Sequence, residues 1–159
     1  MADSKYADVE LQGQARDDAV AKCLAKVESW GLRMPDVRPL PLHFGLHDFY
    51  DIGETEFWIA NEEACGYCGK FLFVFDGQTC PFHRHTMKHE TFFVVKGRVL
   101  MRLDDKAIEL SEGDVLPMAP GTGHSFTGLG DALLLEVSMP SILHDNFFED
   151  KRIGQDGVI

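Results

Sequence analysis

Three histidines and a glutamate carry the strongest chemical signal in the chain. Two of the histidines and the acid lie in Gly77-Gln-Thr-Cys-Pro-Phe-His83-Arg-His85-Thr-Met-Lys-His-Glu90-Thr-Phe-Phe-Val-Val-Lys-Gly97, and the third closes Pro120-Gly121-Thr122-Gly123-His124. Side chains alternate between the faces of a strand, so His83 and His85 present both imidazoles on one side. Glu90 has the wrong parity to share a continuous strand with them. A turn through Thr86–His89 repairs this by putting Glu90 at the start of the antiparallel partner, with its carboxylate beside the two rings. His124 is the best candidate for a fourth ligand from elsewhere in the fold. Three imidazoles and one carboxylate suit Mn, Fe, Co, Ni or Zn better than an ion that takes only oxygen. One divalent ion held this way keeps about two positions open for water or substrate, as a catalytic site does.

A second set of candidates would do the proton chemistry. In Ala132-Leu-Leu-Leu-Glu-Val-Ser138, the side chains of Leu133, Leu135 and Val137 share one face and Glu136 takes the other. A lone carboxylate in so apolar a strand is costly to bury unless something needs it. Glu136 is therefore expected inside, as a base that takes and returns a proton; the competing reading is an exposed acid on an outer sheet. Lys70 opens Phe71-Leu-Phe-Val-Phe75. As an interior cation it would steady a developing oxyanion, and as a strand-end lysine it would reach out to solvent. Lys88 and His89 sit in the turn beside the ligands and are expected to contact substrate at the rim. His43, His47 and His144 have no partner that the sequence identifies and read as structural.

The elements that must position these groups follow from the hydrophobic pattern. From Ala15 to Trp30, the apolar residues Ala19, Val20, Cys23, Leu24, Val27 and Trp30 recur every three or four positions, which predicts an amphipathic helix ended by Gly31. Met34–Leu42 holds Pro35, Pro39 and Pro41 and must be an extended connector. Beyond it, short runs rich in Phe, Val, Ile and Leu predict strands at 56–60, 70–75, 80–85, 91–96, 98–103, 107–110, 115–118, 124–128 and 132–138. Gly and Asp turns separate them. Many short, closely spaced strands mean an all-β sandwich or jelly-roll barrel. The organisation expected is a helix and connector over 1–42 and a barrel with a C-terminal tail over 43–159, one domain overall. The tail is expected to wrap the barrel. Phe92 and Val94 alternate with Phe93 and Val95, which predicts a strand buried on both faces, the outer one against a second sheet or a second subunit.

Composition bounds the partners. Hydrophobic residues make up 45% and charged residues 26%, as in an ordinary globular domain. Lys and Arg number 15 against 26 Asp and Glu, a formal charge of −11. That balance excludes nucleic acid and anionic membrane as expected partners, since both are bound by clustered cations. No apolar run approaches the roughly 18–20 residues a bilayer requires. Met1–Glu10 carries Asp3, Asp8 and Glu10 without an apolar stretch, so no signal peptide is expected and the compartment expected is the cytoplasm. The cysteines at 23, 65, 68 and 80 are then reduced thiols. Cys65-Gly-Tyr-Cys68 lacks the second ligand pair of a structural zinc site, and all four read as buried small hydrophobes.

Gly77–Gly97 fits the first cupin motif, G(x)5HxH(x)3–4E(x)6G, at every fixed position. Gly113–His124 resembles the second motif, G(x)5PxGxxH, with Ala119 in place of its proline and Gly128 in place of its trailing asparagine. The resemblance implies a cupin barrel, usually dimeric, binding metal through His83, His85, Glu90 and His124. A narrower resemblance runs over roughly residues 30–145. Trp58-Ile-Ala-Asn-Glu-Glu-Ala-Cys-Gly-Tyr-Cys-Gly-Lys70, Gln78-Thr-Cys-Pro-Phe-His83-Arg-His85, Lys88-His-Glu90-Thr-Phe and Glu136-Val-Ser-Met-Pro-Ser are similar to the D-lyxose isomerase family. Those enzymes are Mn-dependent cupins that interconvert an aldose and a ketose, such as D-lyxose and D-xylulose. Their glutamate follows the imidazole pair after a longer loop than the one here. The resemblance implies a small sugar substrate, Mn as the first choice of metal, a homodimer and an acid near Glu136. The other readings are a cupin iron dioxygenase or lyase, and a non-catalytic cupin that binds a sugar. A base in the lumen favours the isomerase over both.

Overall fold

The computed structural model describes residues 8–159, so the segment read as lacking a signal peptide lies largely outside the described residues. Helix α1 spans Gly13–Ser29 and is stopped by Gly31, which takes a φ of 73° and donates its N–H to Glu28 O at 2.8 Å. The strands are β1 Leu40–Leu42, β2 Glu54–Glu62, β3 Tyr67–Val74, β4 Thr79–Arg84, β5 Glu90–Lys96, β6 Arg98–Leu103, β7 Lys106–Ser111, β8 Val115–Met118, β9 His124–Gly128, β10 Ala132–Ser138 and β11 Phe147–Phe148. All the expected strands are present, and four of them (98–103, 115–118, 124–128 and 132–138) have the expected ends. The additions are β1 and β11. Pro41 hid β1, but a proline is tolerated in a strand that lies at a sheet edge. At two residues, β11 is too short to leave a pattern.

The strands form two sheets, ordered β1-β2-β3-β10-β5-β8 and β11-β4-β9-β6-β7, every pairing antiparallel. Leu72, Val74, Phe92, Val94, Leu134, Val99, Met101 and Phe126 from their inner faces make the core. This is the all-β jelly roll with an N-terminal helix that the sequence predicts. Gly128, in the asparagine position of the second motif, is required there: a Cβ would strike the Phe75 carbonyl. Among the described residues, no helix is long and apolar enough to cross a membrane.

Helix α1 packs across the outer face of the larger sheet, setting Cys23 and Val27 on Phe57, Phe73 and Leu133. Its contact stripe is narrower than predicted: Leu24 stays 39% exposed. The helix covers only part of that face. Val95 lies under it, whereas Phe93 is exposed alongside Tyr67, Val115 and Val137, so β5 is not buried on both faces within one chain. The cysteines need one correction. All four are free thiols and Cys23, Cys68 and Cys80 are buried, but Cys65 is exposed. It sits in the 3-10 turn Glu63–Cys65, which Gly66 reverses into β3 on the outside of the barrel.

Candidate metal centre and barrel lumen

His83 on β4 and His124 at the start of β9 are cross-strand partners in the smaller sheet. His85 follows the end of β4, and Glu90 opens β5 in the larger sheet. The turn between them therefore does more than reverse the chain. It carries Glu90 across to the opposite sheet, where β5 pairs with β10 and β8 rather than with β4. The expectation of an adjacent hairpin partner is corrected, and the carboxylate still faces the rings. Asp145 in the tail holds this turn: its carboxylate accepts from Thr86 N at 2.8 Å, Thr86 Oγ1 at 2.7 Å and Met87 N at 3.3 Å.

The ligand atoms of His83, His85 and His124 lie within 4.8 Å of one another. Each Nδ1 faces a backbone carbonyl: Pro81 O at 2.9 Å, Asp145 O at 2.8 Å and Thr122 O at 3.2 Å, respectively. A carbonyl only accepts, so each Nδ1 carries the proton and each Nε2 is left with a lone pair. His85 Nε2 and His124 Nε2 are buried without any hydrogen-bond partner. Each lies 3.3 Å from an oxygen of Glu90. Lone pairs aimed at a carboxylate with no proton between them leave room for one kind of occupant, a cation. The donor set fits a divalent metal ion. Burial, with His124 and His85 alongside, pushes His83 well below the usual histidine range, and burial lowers His124 despite Glu90 nearby, so both shifts favour the neutral ring that a ligand must be. For Glu90, burial is outweighed by the His85 ring and the Lys88 ammonium, which hold the carboxyl well below its usual range.

Glu136 is 2% exposed and points into the lumen. Its cross-strand neighbours are Lys70 on β3 and Phe92 on β5. Oε1 accepts from Lys88 Nζ and Ser138 Oγ at 2.9 and 2.8 Å, and Oε2 has Lys70 Nζ at 3.4 Å. Lys70 is buried and bonded to Glu56 Oε1 at 2.7 Å; its ammonium also lies 4.9 Å from the Trp58 ring. Lys88 is not at the rim: it is 4% exposed and bridges Glu136 to Glu90, 2.7 Å away. Both lysines would lose charge to burial alone, but the carboxylates around them, Glu136 foremost, keep them protonated. His89 is corrected: its side chain is exposed and lines no part of the cavity, because it alternates with the inward Lys88 and Glu90.

The structure adds three residues that the sequence reading omitted. Asp145 orients His85 and the turn, and no spacing rule marks a backbone carbonyl in a tail. Glu54 and Glu56 both face the lumen from β2. Their signal was available, since acids two apart entering an apolar strand share a face, but the strand was expected to begin only at 56. The cavity lined by Glu54, Glu56, Lys70, His83, His85, Glu90 and Glu136 adjoins a mouth lined by Trp58, Ile142 and Leu143.

A two-sheet jelly roll with a buried three-histidine cluster defines the class, and residues 72–138 match the cupin domain family. The chain is 30% identical over 138 residues to the D-lyxose/D-mannose isomerase of Thermosediminibacter oceani, covering 69% of this chain and 75% of that protein. It belongs to that family of cupins. Among solved structures, L-ribose isomerase from Cellulomonas parahominis, determined with L-ribose, aligns with a TM-score of 0.73 at 16% identity over 96% of this chain and 98% of its own. A variant L-ribose isomerase from Acinetobacter sp. DL28 aligns at 0.72 with 15% identity, covering 94% and 99%. Those two likenesses show that the fold extends over nearly the whole chain.

Proposed function

We propose that the protein interconverts a small aldose and its ketose, of the D-lyxose/D-xylulose or D-mannose/D-fructose kind, with Glu136 as the proton carrier. The observation that carries this is the placement of a wholly buried carboxylate in the same cavity as the three-histidine cluster. A dioxygenase or a passive sugar binder has no evident use for an acid held this way, whereas moving a proton between adjacent carbons requires one.

His83, His85, Glu90 and His124 would hold one divalent ion, Mn as first choice and Zn, Fe, Co or Ni as alternatives, which supplies Lewis-acid polarisation of the sugar oxygens. The rest falls to the chain. Glu136 Oε1 is occupied by Lys88 and Ser138, and Oε2, with only Lys70 at 3.4 Å, is the oxygen free to take a proton. It removes the proton from C2 of the open-chain aldose. The C–H electron pair forms the C1–C2 double bond, and the carbonyl pair moves to O1. The hydroxyl proton on O2 passes to O1, and return of the first proton to C1, with the O2 electron pair forming the C2 carbonyl, yields the ketose. Lys70 and Lys88 hold the carboxylate in line and place positive charge beside the oxygens that become anionic. Two copies of the chain are the expected assembly, joined through the uncovered apolar face of Tyr67, Phe93, Val115 and Val137.

The test is turnover of D-lyxose and D-mannose by Mn-loaded wild type and by Glu136→Gln. In the variant, Lys70 and Lys88 keep Glu56 and Glu90 as partners, so metal content should hold while kcat falls ~10²-fold or more. Full activity in the variant removes Glu136 from the mechanism. A wild type inert toward both sugars and toward other common pentoses and hexoses removes the isomerase reading.

A further inference from the structure

Glu54 has no part in the chemistry above, yet it occupies the same lumen. It and Glu56 lie two apart at the start of β2 and share its inner face. Glu56 is fully engaged, with Oε1 on Lys70 at 2.7 Å and Oε2 on Trp58 Nε1 at 2.6 Å. Glu54 is 4% exposed, and its Oε2 is buried with no hydrogen-bond partner. A polar atom so placed is a standing cost to the fold. Glu54 lines the metal-site cavity beside Leu72, Cys80 and Phe126, with Glu56 and the Cys80 thiol as its polar neighbours.

We propose that Glu54 is a substrate contact, its unpartnered carboxyl oxygen taking a hydroxyl at the end of the sugar chain away from the reacting carbonyl. This rests on the isomerase reading for the identity of the ligand and on the geometry for the contact. Glu54 lies beside Cys80, and Cys80 precedes His83 by three residues on β4, a separation of about 10 Å at ~3.3 Å per strand residue. An open-chain pentose or hexose with one end at the histidine cluster reaches that far. The chemistry matches too. Burial and the adjacent Glu56 push the Glu54 carboxyl well above its usual range, which favours the protonated form that can donate as well as accept, as a sugar hydroxyl does. A sugar without a hydroxyl in reach leaves Glu54 Oε2 unpaired, and this makes the contact selective.

The experiment compares Glu54→Leu and Glu54→Gln by kinetics, by calorimetric binding of the unreactive polyols xylitol and mannitol, and by melting temperature. Leu removes an unsatisfied polar group, so the metal-free variant should melt at or above wild type. Its KM and polyol Kd should rise roughly tenfold, the worth of one uncharged hydrogen bond, while kcat is retained, because the contact is remote from the reacting carbons. Gln, which keeps a donor and an acceptor, should restore binding to within a few-fold. Unchanged KM and polyol affinity in Glu54→Leu overturns the proposal, as does a lowered melting point with unchanged binding, which would make Glu54 a structural group. If wild type isomerises nothing but binds polyols, and binds them more weakly only with Leu at 54, the contact stands and the isomerase reading falls.

Discussion

Replacing Lys70 with Met tests whether the lumen is held by its ion pairs. Lys70 is buried between Glu56 Oε1 at 2.7 Å and Glu136 Oε2 at 3.4 Å. Removing it does not affect the two acids equally. Glu136 keeps Lys88 at 2.9 Å and Ser138 at 2.8 Å, whereas Glu56 keeps the Trp58 N–H at 2.6 Å but no cation. One buried carboxylate is left without a counter-charge, a loss of about 3–5 kcal/mol, and the retained indole bond favours the lower end. For a chain of this length, ~3 kcal/mol corresponds to roughly 6–12 °C in melting temperature. The assay is thermal and urea unfolding of metal-free protein at neutral pH. Glu56→Gln in the same background removes the stranded charge and should recover most of the loss, giving a coupling of about 2 kcal/mol in the double-mutant cycle. The exposed Arg98–Glu109 pair at 2.6 Å is the internal control, and its removal should cost less than ~1 kcal/mol. The sign of the pH dependence is fixed. Burial opposes ionisation of Glu56, but Lys70 and Trp58 hold its carboxyl below the usual range. That stability is present above the unfolded carboxyl value of ~4.3 and is lost as pH falls through the folded one. The gap between wild type and Lys70→Met should therefore close on acidification. A single variant within ~1 kcal/mol of wild type, or no recovery from Glu56→Gln, refutes the reasoning.

Two further outcomes concern the metal and the assembly. The His83→Ala, His85→Ala double variant should purify without a stoichiometric divalent ion by elemental analysis. Wild type should keep its ion at pH ~6, because His83 and His124 are held neutral below the ordinary histidine value of ~6.5. A full complement of metal in the double variant, or loss of metal from wild type already at pH ~6.5, contradicts the ligand assignment. Light scattering at micromolar concentration should give twice the 17.8 kDa chain mass, and Val137→Glu, which puts a charge on the uncovered sheet face, should shift the mass toward one chain. A wild-type mass equal to one chain rules the dimer out.

The sequence by itself determined nine of the eleven strands, the helix and the candidate metal ligands, because each rests on local rules. Alternation places His83 and His85 on one face and Glu136 opposite its leucine neighbours, and a period of three to four residues marks α1. What crosses between sheets was not legible. Glu90 reaches the rings from the opposite sheet, and Lys88 turns inward instead of standing at the rim, because the short turn is pinned by Asp145, a tail residue some sixty positions from His85. The fate of an acid or a thiol is likewise a tertiary matter. Glu54 and Glu56 carry the same side chain on the same face of β2. One is an ion bonded to Lys70 and the other keeps an oxygen with no hydrogen-bond partner, since the packing of β3 against β2 sets the Lys70 ammonium on Glu56 rather than on Glu54. Periodicity fixes which way a side chain points, but its partner, and with it its charge, is set by the strands that the fold brings alongside.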